Sequence, residues 1–245
     1  MPRTTTSGDR AVMSDPIHNF LNKRPAALAR IEQEGLSIAD YGERLKLSYR
    51  DFAIVCHQRS GSHLLATALN SHPDIDCQGE LLQLIKTPAK SYAPVAAKTS
   101  AKLRGAIIMY NQLRIAAELG LMPGKIIHLL RNPAETARSI VLNAASNAIQ
   151  GDHSPHSLRA KPAFRSADLV ADPDEILRYE DEVRTRQDEQ LRSLPTPRLD
   201  IWYDDICGGR DVESLEASAA ERILNFLGAE PVVALTTPLA KAAYR

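Results

Sequence analysis

Cysteine is scarce in this chain: Cys56, Cys77 and Cys207 are the only three in 245 residues. Their odd number and the lack of any C-x-x-C spacing argue against a disulfide framework and a structural zinc site, so they read as buried small hydrophobes. Long apolar runs are missing too. Nothing reaches the roughly 18 consecutive apolar residues of a membrane-crossing helix, so no stable membrane insertion is expected. The opening stretch, MPRTTTSGDRAVMSDP, lacks the apolar core of a secretory signal, and a cytoplasmic location is the expectation. Net charge is absent as well, because 30 Lys and Arg are offset by 30 Asp and Glu. No whole-surface field draws the chain to nucleic acid, which is not an expected partner, and any partner must be recognised locally. No internal repeat occurs.

What is present organises around Asp51 to Leu65, DFAIVCHQRSGSHLL. Phe52 to Cys56 form a short apolar run with β-branched members, which suits a strand covered on both faces. Arg59, Ser60, Gly61, Ser62 and His63 then form a polar, small-residue turn. From Leu64 the apolar residues return at Leu65, Ala68 and Leu69, a helical spacing. A strand passing through a Gly-containing turn into a helix aims unpaired N–H groups and the positive helix end at one spot, an anion site. The ordinary G-x-x-x-x-G-K-[ST] pattern is missing, since no Gly sits five residues before Gly61 and His63 follows Ser62.

A second stretch, Lys125 to Val141, KIIHLLRNPAETARSIV, repeats the strand-to-helix plan, with Pro133 suited to a first helical turn. Arg131 closes the strand and Ser139 follows eight residues later, about 12 Å along a regular helix axis. Elsewhere Pro25 to Glu34 reads as a helix stopped by Gly35, either packed outside the sheet or meeting a partner. Ser71 to Asp74 is a turn and Ile75 to Gln78 a short strand. Lys86 to Lys102 reads as a loop or irregular helix, and Leu103 to Leu119 as a helix by its apolar spacing. Asp172 to Ser193 is a charged, exposed or partner-facing helix with Pro173 at its first position. Arg198 to Tyr203 is a strand, Asp211 to Leu227 a helix, and Pro231 to Arg245 a tail. Residues 1–16 should be disordered. The alternation of strands and helices predicts one α/β domain over 17–245, a P-loop-like parallel sheet flanked by helices.

QRSGSHLL and HLLRNPAETARSI together resemble the sulfotransferases that use 3′-phosphoadenosine 5′-phosphosulfate (PAPS), in particular their bacterial and carbohydrate-type branches. The strand ending Tyr203-Asp204-Asp205 and the helix end Ile223-Leu224-Asn225-Phe226-Leu227-Gly228 add a weaker match. The resemblance spans roughly residues 50 to 230 and implies PAPS as donor and PAP as product. It assigns the 5′-phosphosulfate to Arg59, Ser60, Gly61, Ser62, His63 and Leu64, and the 3′-phosphate to Arg131 and Ser139. The family often draws its catalytic base from a Glu after an HPDI-like turn, the place of Glu80. Arg59 takes the stabilising role the family gives to a Lys or Arg. His63 departs from the Thr or Ser usual at its position, and either a contact to the sulfuryl group or a space-filling role is open to it. The family needs no metal, and the spacing of His57, His63 and His72 does not suggest one.

Sulfuryl transfer asks for in-line positioning and neutralised anionic oxygens. The implied acceptor is a hydroxyl of a carbohydrate or other small hydroxylated metabolite. Leu84 to Lys102 and Gly151 to Ser166, with their Lys, Arg and His, are its expected walls. Homo-oligomerisation is left open. Two other readings stand beside this one. A nucleotide kinase with a degenerate P-loop would need a Lys on the phosphates and a magnesium carboxylate, for which Asp204 is the candidate. A non-catalytic PAP-binding protein of the same fold would bind without turnover.

Overall fold

The computed structural model describes residues 16–86, 98, 100–150, 173–207 and 213–237. In chain order these form α1 (Pro16–Asn22), α2 (Pro25–Gln33), α3 (Ile38–Ser48), β1 (Phe52–Cys56), α4 (Ser62–Asn70), β2 (Ile75–Gln78) and α5 (Gln83–Lys86). Then come β3 (Leu103–Met109), α6 (Leu113–Glu118), β4 (Lys125–Leu130), α7 (Pro133–Gln150), α8 (Pro173–Arg192), β5 (Arg198–Trp202), α9 (Tyr203–Cys207) and α10 (Ala217–Leu227). The five strands pair in parallel in the order β2-β3-β1-β4-β5. Parallel neighbours need crossover connections, and helices supply them over both faces. The chain therefore has the expected α/β fold, a parallel sheet flanked by helices.

β1 holds the centre, between β3 and β4, and every one of its residues is buried. Successive strand side chains point to opposite faces. Phe52, Ile54 and Cys56 accordingly enter a core shared with Leu65 and Leu69 of α4 and Ile223 and Leu227 of α10. Ala53 and Val55 enter the opposite core, with Ile17, Ile31, Tyr41 and Leu45 of α1 to α3. Each such aliphatic side chain contributes about 1.5–3 kcal/mol when fully buried. This is the reason a five-residue strand can anchor the turn that follows it. Cys56, Cys77 and Cys207 are all buried, as their scarcity suggested.

The structure departs from the sequence reading at several places. Leu103 to Leu119 is not one helix: β3 takes Leu103–Met109, a 3-10 turn takes Tyr110–Gln112, and only Leu113–Glu118 is α-helical. The apolar spacing fits a helix, but Gly105 to Met109 are buried on both strand faces between β1 and β2, where any apolar run is accepted. The strand expected over Arg198 to Tyr203 stops at Trp202, and Tyr203 opens α9. The last helix starts at Ala217 rather than Asp211, with Glu216 before it.

Pro16, placed in the disordered segment, opens α1, while the rest of that segment lies outside the described residues. The same holds for Gly151 to Ser166 and for most of Lys86 to Lys102. α1 and α3 were not anticipated, although Ser37 caps α3 by accepting from the N–H of Asp40 at 3.0 Å, a visible signal. α2 packs on the sheet face with them. α8 is charged as expected, yet it is not merely exposed, because Leu191 joins the core beneath it. Among the described residues no helix is long and apolar enough to cross a membrane.

One close approach fixes how β1 meets β3. Phe52 stands opposite Gly105, and a Cβ built there would lie 2.3 Å from the Phe52 ring. Gly105→Ala should therefore overpack the sheet and lower stability by about 1–3 kcal/mol. Urea unfolding measures this, and an unchanged midpoint would show that the ring moves aside freely.

Candidate functional site

The site is built at the carboxyl ends of β1 and β4. After Cys56 the chain turns through Arg59, whose φ is 61°, and Gly61, whose φ is 95°, and then enters α4 at Ser62. The left-handed turn gathers successive backbone N–H groups into one concavity. Leu65 N–H donates to the Gly61 carbonyl at 3.1 Å, so the N–H groups before it stand in the first turn, ahead of the helix's own hydrogen-bond ladder. A nine-residue helix then adds the positive end of its dipole.

A non-glycine residue in the left-handed region costs about 1–3 kcal/mol, so Arg59 must be held there by its surroundings. Arg131 Nη1 donates to the Arg59 carbonyl at 2.6 Å, and Arg59 Nε donates to Ser139 Oγ at 3.3 Å. Tyr203 supplies the remaining wall. Its ring lies where a Cβ on Gly61 would be, 2.3 Å from Cδ2, and the Arg131 guanidinium stacks over the same ring at 4.6 Å. Only glycine permits that approach. One aromatic side chain thus braces the loop and the arginine together.

The electrostatics are those of an anion receptor. The Arg131 side chain is 10% exposed, and its closest ion pair is with Glu135 at 4.0 Å. Its Nε is buried without a hydrogen-bond partner among the described residues. Burial first, and then the Arg131 charge, lower the pKa of Arg59 from its ordinary value. A guanidinium starts so high that it remains charged. Two like charges, partly stripped of water and set beside a helix N-terminus, favour a multiply charged oxyanion.

The structure also joins two residues that the sequence left apart. His63 Nε2 lies 3.1 Å from Glu80 Oε1, with their side chains 28% and 17% exposed. Glu80 is thus not a solvated helix-start residue but a partly buried carboxylate paired to an imidazole beside the loop.

The Ser60 hydroxyl donates to the His57 carbonyl at 2.8 Å, and the residue is buried. Hydrogen bonds with Ser62 and Ser60 also temper the Cys56 thiol, which burial pushes up to about 12. The Ser60 side chain thus helps brace the turn. Leu64 packs its side chain into the core, so it offers only its N–H. Lys98, from the expected acceptor wall, is turned inward onto the carbonyls of Asn70, His72 and Ile75. Tyr203 was missed as a loop-bracing residue. Nothing local marks it, because its role depends on β5 lying next to β4. Among the described residues no group of three or more His, Cys, Asp or Glu is placed to hold a metal ion.

No protein-family model and no curated protein matches the chain. Among solved structures, mouse sulfotransferase SULT7A1 complexed with PAP is similar at 15% sequence identity and a TM-score of 0.44, over 75% of this chain and 61% of that one. The chain thus aligns with less than two thirds of that neighbour's length.

Gly61→Ala should test the loop directly. The side chain adds left-handed strain of about 1–2 kcal/mol and collides with the Tyr203 ring. The expected outcome is a lower urea midpoint together with lost binding of inorganic pyrophosphate in calorimetry. Arg138→Ala, by contrast, removes a 59%-exposed side chain paired to Glu135 and should change neither. Equal pyrophosphate affinity in wild type and Gly61→Ala would remove the loop from the anion site.

Proposed function

We propose that this chain is a PAPS-dependent sulfotransferase that moves a sulfuryl group to a hydroxyl of a carbohydrate or other hydroxylated metabolite. The observation that carries the reading is the pair of bonds between its two motifs. Arg59 of the first reaches Ser139 of the second, and Arg131 of the second holds the Arg59 carbonyl. Residues 72 and 80 positions apart meet at one basic spot, as two phosphate subsites of one nucleotide would require.

The donor set suits such a ligand. Backbone N–H groups of the loop, the Arg59 charge and the buried, incompletely satisfied Arg131 can neutralise phosphate oxygens at two points. PAPS, when bound, supplies the activated sulfuryl group and leaves as PAP. The chain's own residues do the rest. Glu80 is the base that takes the proton of the acceptor hydroxyl, and His63 holds its carboxylate in place. Arg59, always charged, stabilises negative oxygens and cannot act as an acid. Arg131 and Ser139 read the 3′-phosphate, which separates this nucleotide from ATP. The cytoplasmic location and the absence of nucleic acid among its partners stay part of this proposal.

Calorimetry without magnesium should show PAP binding much more tightly than AMP. Loss of one charge-assisted contact costs about 1.5–3 kcal/mol, so Arg131→Ala should weaken PAP at least about tenfold, and by more than it weakens AMP, whose phosphate loop also leans on Arg131. Equal affinities, or an absolute magnesium requirement, would favour the kinase reading instead.

Turnover divides the remaining roles. With labelled PAPS and a panel of acceptors, Glu80→Gln should lower kcat by roughly 10²–10⁴ at nearly unchanged PAP affinity. Arg59→Ala should damage both kcat and binding. A Glu80→Gln enzyme of normal rate would move the base elsewhere, with His63 the first to test. Tight PAP binding with no turnover on any acceptor would make the chain a binding protein.

A further inference from the structure

A second basic position lies across from Arg131. Beyond the loop, on the opposite side from α4, a narrow cleft opens between the ends of β1, β3 and β4 and α8. His57, Tyr110, Arg131, Pro133, Thr136 and Arg184 are among the residues that line it.

Arg184 belongs to α8, and that helix is pinned at this place. Asp188, one turn further on, accepts from the Tyr110 hydroxyl at 2.8 Å and lies 3.5 Å from His128 Nε2. Tyr110 and His128 also bond each other through Oη and Nε2. The far nitrogen of His128 pairs with Asp200 at 2.8 Å, and Arg198 reaches the same carboxylate at 2.9 Å. Burial alone would raise the pKa of Asp188, yet hydrogen bonds from His128 and Tyr110, with the charges of His128 and Arg184, hold it below its ordinary value. With Leu191 buried one turn beyond, these contacts fix the cleft-facing side of an otherwise exposed helix.

The position this gives Arg184 leaves part of its guanidinium open to a further partner. Its side chain is 26% exposed, and its Nη2 meets Asp181 at 3.2 Å, itself 60% exposed. Its Nε is buried with no partner among the described residues, like that of Arg131 across the cleft. The carboxylates nearest the pair are shared: Asp188, which feels the Arg184 charge, also holds Tyr110 and His128, and Glu135, 4.0 Å from Arg131, also meets Arg138 at 3.2 Å. Thr136 is buried in the wall between them and adds a hydroxyl.

We infer that Arg184 and Arg131, with Tyr110 and Thr136, form a second oxyanion subsite in this cleft. It takes a phosphate, sulfate or carboxylate group, borne either by the 3′ position of the nucleotide or by the acceptor. The choice between these two sources rests on the proposed sulfotransferase reading; the anion site itself does not. If the group belongs to the acceptor, the substrate class narrows to hydroxylated molecules that already carry a negative charge.

The experiment uses the full chain loaded with saturating AMP, which fills the loop and leaves the cleft to a second anion. Inorganic phosphate is then titrated calorimetrically into wild type, Arg184→Gln and Arg184→Lys, after thermal unfolding shows that each is folded. Phosphate should bind the loaded wild type, weaken at least tenfold in Arg184→Gln and recover in part in Arg184→Lys. A parallel titration separates the sources. PAP weakened tenfold in Arg184→Gln assigns the subsite to the 3′-phosphate. PAP of wild-type affinity, with phosphate still binding the PAP-loaded protein, assigns it to the acceptor. Phosphate affinity equal in wild type and Arg184→Gln overturns the inference. PAP binding no tighter than AMP in wild type is a separate result that overturns the sulfotransferase reading.

Discussion

The hydrogen bond from Arg131 Nη1 to the Arg59 carbonyl, 2.6 Å long, joins the ends of two adjacent strands and holds a residue in a conformation it would not adopt alone. Most of the site follows from it. Arg59 stays left-handed, its guanidinium reaches Ser139 on α7, and the loop N–H groups keep a common direction. The bond is possible because β1 and β4 pair in register, with Cys56 beside Leu129. Each strand therefore delivers its loop at the same height. Tyr203, at the end of β5, then seals the arrangement from below by filling the space that Gly61 leaves.

This arrangement has an energetic cost in the free protein. It places two guanidiniums together, partly desolvated, at the positive end of a helix. Sheet packing on both sides of β1 supplies the stability that lets such strain persist. A bound oxyanion reverses the sign of each unfavourable term at once, because it pairs with the charges, accepts from the loop N–H groups and suits the dipole. The same logic reaches α8, where a carboxylate-imidazole-phenol anchor keeps another arginine over the adjoining cleft. Local instability is concentrated where ligands would relieve it.

The turn after β1 was legible because its signals are local. Apolar β-branched residues, a glycine and a resumption of helical spacing lie within fifteen positions of one another, and the folded chain keeps their order. Leu103 to Met109 was read as helix for an equally physical reason. A strand buried on both faces has no alternation to display, so its apolar residues can mimic a period of 3.6. α8 was read as exposed or partner-facing since so many of its residues are charged. Its actual hold on the sheet runs through Asp188, a charged residue whose partner Tyr110 lies 78 positions away. A serine hydroxyl so near the backbone readily bonds its own turn, and Ser60 does so.

The sequence by itself determined the α/β class, the strand-turn-helix that makes an anion site and the two basic motifs, because propensity, periodicity and turn chemistry act over a few residues. The tertiary structure alone decided which distant side chains meet. His63 finds Glu80 across 17 positions, Arg131 finds Arg59 across 72, and Tyr203 comes to rest against Gly61 through the placement of β5 beside β4. Strand order and register set those meetings, and both are won by burying two cores at once. That is a property of the whole chain, and no single stretch of it carries it.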